Sequence, residues 1–361
     1  MSVENKATQL GRANEADDAS GPIQLSDTTP ARLIQSTGNL YWSSNPWVIE
    51  SQHASKLNVP APTIFWASKS SQPGEEVALY TEPGTGGEWT SSEFGALTFA
   101  KVDDEFYGYF VANYTDKSQT TSQIKRIPLG AVTPSGHADV LLDPAPATIG
   151  LGDLVTDGSF LCWADNEGIR SMPIGGGTVT PLVEGSGFER LAVLGGTLYY
   201  IDGNAIFSVP KGGGTPSFVL GTRLSPITAL YVLAKQPPVA LAERPETPGP
   251  PVVSDVALVW GRADGAVFGM FRGETTTYQE PTADFTVVSV YSTEGRVLWY
   301  QQASPGAGVA AGPPQVLMSY GGVTITLSSN AENAPLFSRL DVLADEAAAY
   351  WTWGYLQKYT L

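Results

Sequence analysis

At 361 residues the chain is long enough to bury a large core, and its 10% aromatic share, nine Trp included, is too rich in apolar area for a disordered protein. A formal charge of −16, with 20 Lys and Arg that nowhere cluster, excludes the basic face a nucleic-acid partner needs. A single cysteine, Cys162, excludes an internal disulfide framework, and no apolar run approaches the length of a membrane span.

Residues 1–20 are polar, rich in Asn, Ala, Asp and Glu, and read as a disordered tail ahead of a domain spanning 21–361. They lack the apolar segment of a signal peptide, although a secreted or lipid-anchored protein whose signal had been removed would begin in the same way. Ile23-Gln24-Leu25-Ser26 is a short strand candidate. ARLIQSTGNLYWSSN at 31–45 reads as two strands, but TIFWASK at 63–69 also has the look of a second strand. VALYTEPGTGGEWTSSE at 77–93 imitates a third strand, a Gly turn and a fourth, so residues 46–62 are an insertion whose place in this first unit the sequence leaves open. ALTFAKV, FYGYFVANY, SQIKRIPLG and ADVLLD then divide residues 96–143 into four strands.

The clearest signal is a repeat. GSFLCWADNEGIRSMPIGGGTVTPLVE at 158–184 and GTLYYIDGNAIFSVPKGGGTPSFVL at 196–220 align along their length. Each has an apolar-aromatic strand ending in Trp163 or Tyr200, a polar turn, a second strand, a GGG turn and a third strand. With the apolar strand before each copy, this makes four strands in about 37 residues, the content of one propeller blade. Residues 227–281 and 285–329 are weaker copies, and the proline-rich stretch 236–253 is a surface insertion in the first of them. The last stretch, 338–361, supplies only three strands, so the missing fourth is expected from the N-terminal strand at Ile23. The predicted fold is all-β, a single propeller of about seven four-stranded blades closed by an N-terminal strand; six or eight blades also fit, and a β-sandwich is the rival architecture.

The runs LCWADNEGIRSMPIGGGTVTPLVE and LYYIDGNAIFSVPKGGGTPSFVL resemble bacterial propeller repeats of the YWTD, NHL and virginiamycin-lyase-like superfamily, best over residues 150–221. That resemblance implies the fold, because the superfamily spans hydrolases, lyases, ligand sensors and protein-binding modules. Its lyase uses a metal with His and Glu on the channel face, whereas this chain has only His53 and His137, outside any matching motif.

Most candidate chemistry has a structural reading. Trp42, Trp163, Tyr200, Trp260, Trp299 and Trp351 recur at one strand position, where packing between blades needs a large side chain. Asp165-Asn166-Glu167 matches neither the spacing of a calcium loop nor its Gly and reads as a polar turn. The GGG runs at 175–177 and 212–214 join strands and do not open a helix, so they are hairpin turns. No metal or cofactor motif is present. One constellation points to function. Arg32, Glu93, Asp153, Glu189, Arg190, Arg223, Asp284 and Arg339 lie where the chain enters successive first strands, points a propeller gathers around one channel mouth. They predict either a rim of mutual pairs or a pocket for a small anionic or zwitterionic molecule, with Arg as a planar fork. Trp47 and His53 in the 46–62 insertion join these candidates. The function expected is a non-enzymatic binding propeller with a small-ligand, glycan or protein site on its channel face. The alternative is a lyase or hydrolase using rim carboxylates as acid and base and Arg as a clamp.

Overall fold

The computed structural model describes residues 23–24, 30–35, 38–44, 61–71, 75–83, 91–116, 119–129, 137–145, 153–223, 225–234, 256–282, 284–293, 296–304, 312–320, 322–329, 342–344, 347–353 and 355–361. The 1–20 tail, the 236–253 insertion, most of the 46–62 insertion, Trp47, His53 and Arg339 lie outside these described residues.

Every described element is a strand, and the strands form seven antiparallel sheets of four. Blade 1 pairs Pro30–Gln35, Asn39–Ser44, Thr63–Ser68 and Val77–Thr81 in sequence order. Residues 46–62 therefore join its second and third strands. TIFWASK is a third strand, VALYT is the fourth, and Ser91–Val102 already belongs to blade 2. Blades 2 to 6 repeat the pattern, their inner strands being Ser91–Val102, Leu154–Thr156, Glu189–Leu194, Ile227–Ala234 and Phe285–Thr293. Blade 7 has Val342–Ala344, Ala348–Trp353 and Tyr355–Thr360, and its outer strand is Ile23–Gln24, where Ile23 faces Lys358 and Gln24 faces Gln357. A strand from the chain start thus completes the last blade, which covers an edge that would otherwise template aggregation.

The repeated aromatics explain why blades pack in this order. Side chains alternate along a strand, so neighbouring residues serve opposite faces. In blade 1, Trp42 packs with Leu343 and Tyr350 of blade 7, while its neighbour Tyr41 packs with Phe94 and Phe110 of blade 2. The same split holds for Trp163 and Cys162, Tyr200 and Tyr199, Trp260 and Val259, and Trp299 and Tyr300. The hydrophobic core is therefore seven seams, each shared by two adjacent blades. The Trp and Tyr side chains at the repeated position are no more than 5% exposed, which assigns them to packing and leaves no face for a carbohydrate. Cys162 sits in the seam between blades 3 and 4, where burial and then Asp157 push its thiol up to about 12 and leave it unreactive.

Turn chemistry matches the residues supplied. Gly176 and Gly213 have φ of 90° and 93° in the GGG turns, a region costly for any side chain-bearing residue. Asp165 closes the turn at 165–168 by accepting hydrogen bonds from the Glu167 and Gly168 amides, while its other oxygen accepts from Arg170 Nε at 2.6 Å.

Buried polar groups help to pin the seams. Between blades 1 and 2, the buried Glu82 carboxylate accepts from Tyr80 Oη at 3.0 Å, Tyr114 Oη at 2.7 Å and Lys125 Nζ at 2.8 Å. Burial and the adjacent Glu82 raise both tyrosines well above their ordinary range. Between blades 3 and 4, Asp157 pairs with Lys211 and also accepts from the Ser159 and Phe160 amides. Burial alone would raise Asp157, but the Lys211 contact and these amides outweigh it and hold the carboxyl below its usual value of 3.8. A depressed carboxyl stabilises the fold above its unfolded-state value and loses that contribution as pH falls through the folded one. Acid titration of wild type and Asp157→Asn should therefore show a stability gap near neutral pH that closes below about 3.8. A gap that persists unchanged into strong acid would show that Asp157 acts through packing alone.

Candidate functional site

The inner strands of the seven blades surround a central cavity of about 460 Å3. Leu97, Leu154, Leu191, Leu230, Val290 and Val342 occupy equivalent places around it, each facing the repeated aromatic position of its own second strand. One ring of aliphatic side chains thus serves both the channel wall and the seams behind it.

At the leading end of these strands the ladder is interrupted. In blades 1, 2, 4, 5 and 6 the inner strand carries a β-bulge just before the aliphatic position. The extra residue is Arg190 in blade 4, Thr228 in blade 5 and Val288 in blade 6. A bulged residue drops out of the ladder, which frees its backbone groups and re-aims its side chain. Arg190, with φ of +49°, joins three of these interruptions. Its Nε donates to the Thr228 carbonyl at 3.2 Å and its Nη2 to the Val288 carbonyl at 2.7 Å. Its Nη1 lies 3.7 Å from Asp153 Oδ1, while Asp153 Oδ2 accepts from the Leu191 amide at 3.0 Å. One guanidinium therefore spans blades 3 to 6 at the mouth of the channel. The Arg190 side chain is 19% exposed and that of Asp153 16%, so both are largely withdrawn from water and the pair is more than a surface ion pair.

At the trailing end, side chains of blades 1, 5 and 6 meet on the channel wall. Gln35 Nε2 donates to Tyr291 Oη at 3.0 Å and to the Ala344 carbonyl at 2.8 Å, tying blade 1 to blades 6 and 7. The Tyr291 ring lies 4.7 Å from that of Tyr231, and burial raises the Tyr231 hydroxyl far above its ordinary range.

Of the residues proposed from sequence, Asp153 and Arg190 line the cavity and meet each other. Glu93 lies near the start of the blade 2 inner strand, half-buried, its carboxyl raised by burial, and outside the cavity lining. Arg223 and Asp284 are exposed in the segments leading into blades 5 and 6 and do not line the cavity. Arg32 and Glu189 sit at the starts of inner strands. Among the described residues no three His, Cys, Asp or Glu side chains gather as a metal group would require. Sequence reasoning missed Gln35, Tyr231 and Tyr291. Only their repeated place late in an inner strand could have flagged them, because their contacts join residues 256 and 309 positions apart.

No protein family matches this sequence, and no curated protein is similar to it. Solved structures do share the fold. The extracellular domain of a putative one component system from B. thetaiotaomicron matches with a TM-score of 0.54 and 11% identity, over 94% of this chain and 40% of that one. An ancestral GH74 enzyme matches with a TM-score of 0.58 and 10% identity, over 95% of this chain and 50% of that one. The chain thus spans half or less of the length of these two neighbours, and at such identity the likeness is one of fold.

Proposed function

We propose that this propeller is a non-enzymatic binding module that takes a small molecule into its central channel. The observation that carries this reading is the cavity itself. It measures about 460 Å3, inside the roughly 300–1,000 Å3 usual for small-molecule sites, and combines an apolar wall with a few placed polar groups. Its carboxylate is already engaged, since Asp153 accepts from the Leu191 amide and faces Arg190. That favours holding a ligand over transferring its protons. We place the chain among the YWTD, NHL and virginiamycin-lyase-like propellers on its repeated aromatic pairs and GGG turns. The neighbours of like fold include both the extracellular domain of a putative one component system and an ancestral GH74 enzyme, so the choice between binding and catalysis rests on the channel.

A second reading, a lyase or hydrolase, draws on Glu93, near the start of the blade 2 inner strand, whose carboxyl is raised by burial. One experiment separates the two. A panel of small alcohols, amides, amines, carboxylates and sugar phosphates is screened by thermal shift on wild type and Ser289→Trp, which fills the cavity from its wall. Bound compounds should raise the melting temperature of wild type by a few degrees at about a hundredfold excess over Kd and leave Ser289→Trp unmoved. An equal response from both proteins would place binding outside the channel, and chemical conversion of a bound compound would establish the enzyme.

A further inference from the structure

We infer that the acceptor set at the channel mouth is a receptor for a guanidinium or ammonium group, which Arg190 occupies in cis, and that the channel's ligand carries such a cation on an apolar body. This rests on the binding reading above and gives its ligand a charge.

The set consists of the Asp153 carboxylate and two bulge carbonyls, Thr228 and Val288, contributed by three different blades. All are acceptors, and all converge on one guanidinium. Bulging removes Thr228 and Val288 from the antiparallel ladder with their second strands, and their carbonyls accept from Arg190 instead. A planar group with several N–H donors matches three separated acceptors, whereas an anion meets only repulsion from them. Arg190 is the one cation that lines the cavity among the described residues, and its donors are directed at protein acceptors, so it offers an incoming carboxylate no prepared fork. Beyond the mouth the wall is the aliphatic ring of Leu97, Leu154, Leu191, Leu230 and Val290, which suits an apolar chain behind the cationic head.

The tethered Arg190 competes with any such ligand at a high effective concentration, in the millimolar range or above. A bare guanidinium ion should therefore bind wild type poorly. A ligand with an apolar body offsets this competition by filling the channel.

The test uses Arg190→Gly, which vacates the set while tolerating the local backbone. Ethylguanidinium titrated at constant ionic strength should raise the melting temperature of this variant saturably. Its apparent Kd should be at least tenfold lower than for wild type, and sodium chloride should do nothing comparable. An Arg190→Gly/Asp153→Asn double variant should lose the rescue. Equal responses from wild type and the two variants, or an equal response to butyrate, would overturn the inference. Wild type supplies a second measurement that needs no variant to fold. Calorimetry should rank butylguanidinium and butylammonium at least tenfold above butyrate, and the reverse order would also overturn it. Binding of an uncharged panel compound that Ser289→Trp abolishes, with no guanidinium rescue, would leave the channel reading standing and remove this one.

Discussion

Replacing Arg190 with Ala is expected to lower the unfolding free energy by about 3 kcal/mol, and replacing it with Gly by about 1 kcal/mol less. The first figure follows from two hydrogen bonds from a charged donor to the Thr228 and Val288 carbonyls plus the Asp153 contact, in a site where the side chain is 19% exposed. Bonds to charged groups contribute roughly 1.5–3 kcal/mol each, and orphaned carbonyls near the channel partly regain water, which keeps the sum at the lower end. The difference between Ala and Gly isolates the backbone. At φ of +49°, Ala keeps the left-handed strain that Arg190 bears, whereas Gly relieves it. Urea denaturation monitored by Trp fluorescence measures both. Equal loss in the two variants would mean that the left-handed backbone carries no strain. No loss in either would mean that the guanidinium does not join the blades.

The second large effect belongs to the Glu82 cluster. Glu82→Gln should cost about 3–5 kcal/mol, because it strands the Lys125 ammonium in a seam where that side chain is 8% exposed. The double change Glu82→Leu/Lys125→Met should recover most of that loss, since removing both charges leaves no desolvated ion behind. The two tyrosine hydroxyls lose their acceptor in the double variant and set the residue that is not recovered. A double-mutant cycle in urea measures the coupling. Additive single losses would show that Glu82 and Lys125 stabilise the seam independently, against the direct 2.8 Å contact.

These two sites also mark where sequence reading stops. The fold was legible because its determinants are local. Apolar-aromatic pairs such as Tyr41-Trp42 and Tyr199-Tyr200 alternate at period two, glycines stand where φ must be positive, and both features recur at blade spacing. From them follow the four-stranded units, the burial of the repeated Trp and Tyr positions, and the need for an N-terminal strand to complete the last blade. Blade 1 was ambiguous because its insertion separates strands whose local patterns are alike, and only pairing decides which is second and which third.

What tertiary structure alone decided is the chemistry of the channel and seams. Glu82 stands in a stretch that looks like an exposed turn, yet it is buried because blade 2 brings Tyr114 and Lys125 over it from 32 and 43 residues away. Arg190 was recognisable as a rim charge, but its partners are two backbone carbonyls, and carbonyls freed by bulges carry no side-chain signature. Charge alternation along a sequence specifies which groups can meet at a mouth. Which of them do is set by strand register and by the bulges that shift it, because one residue of slip turns a side chain from the channel to the seam.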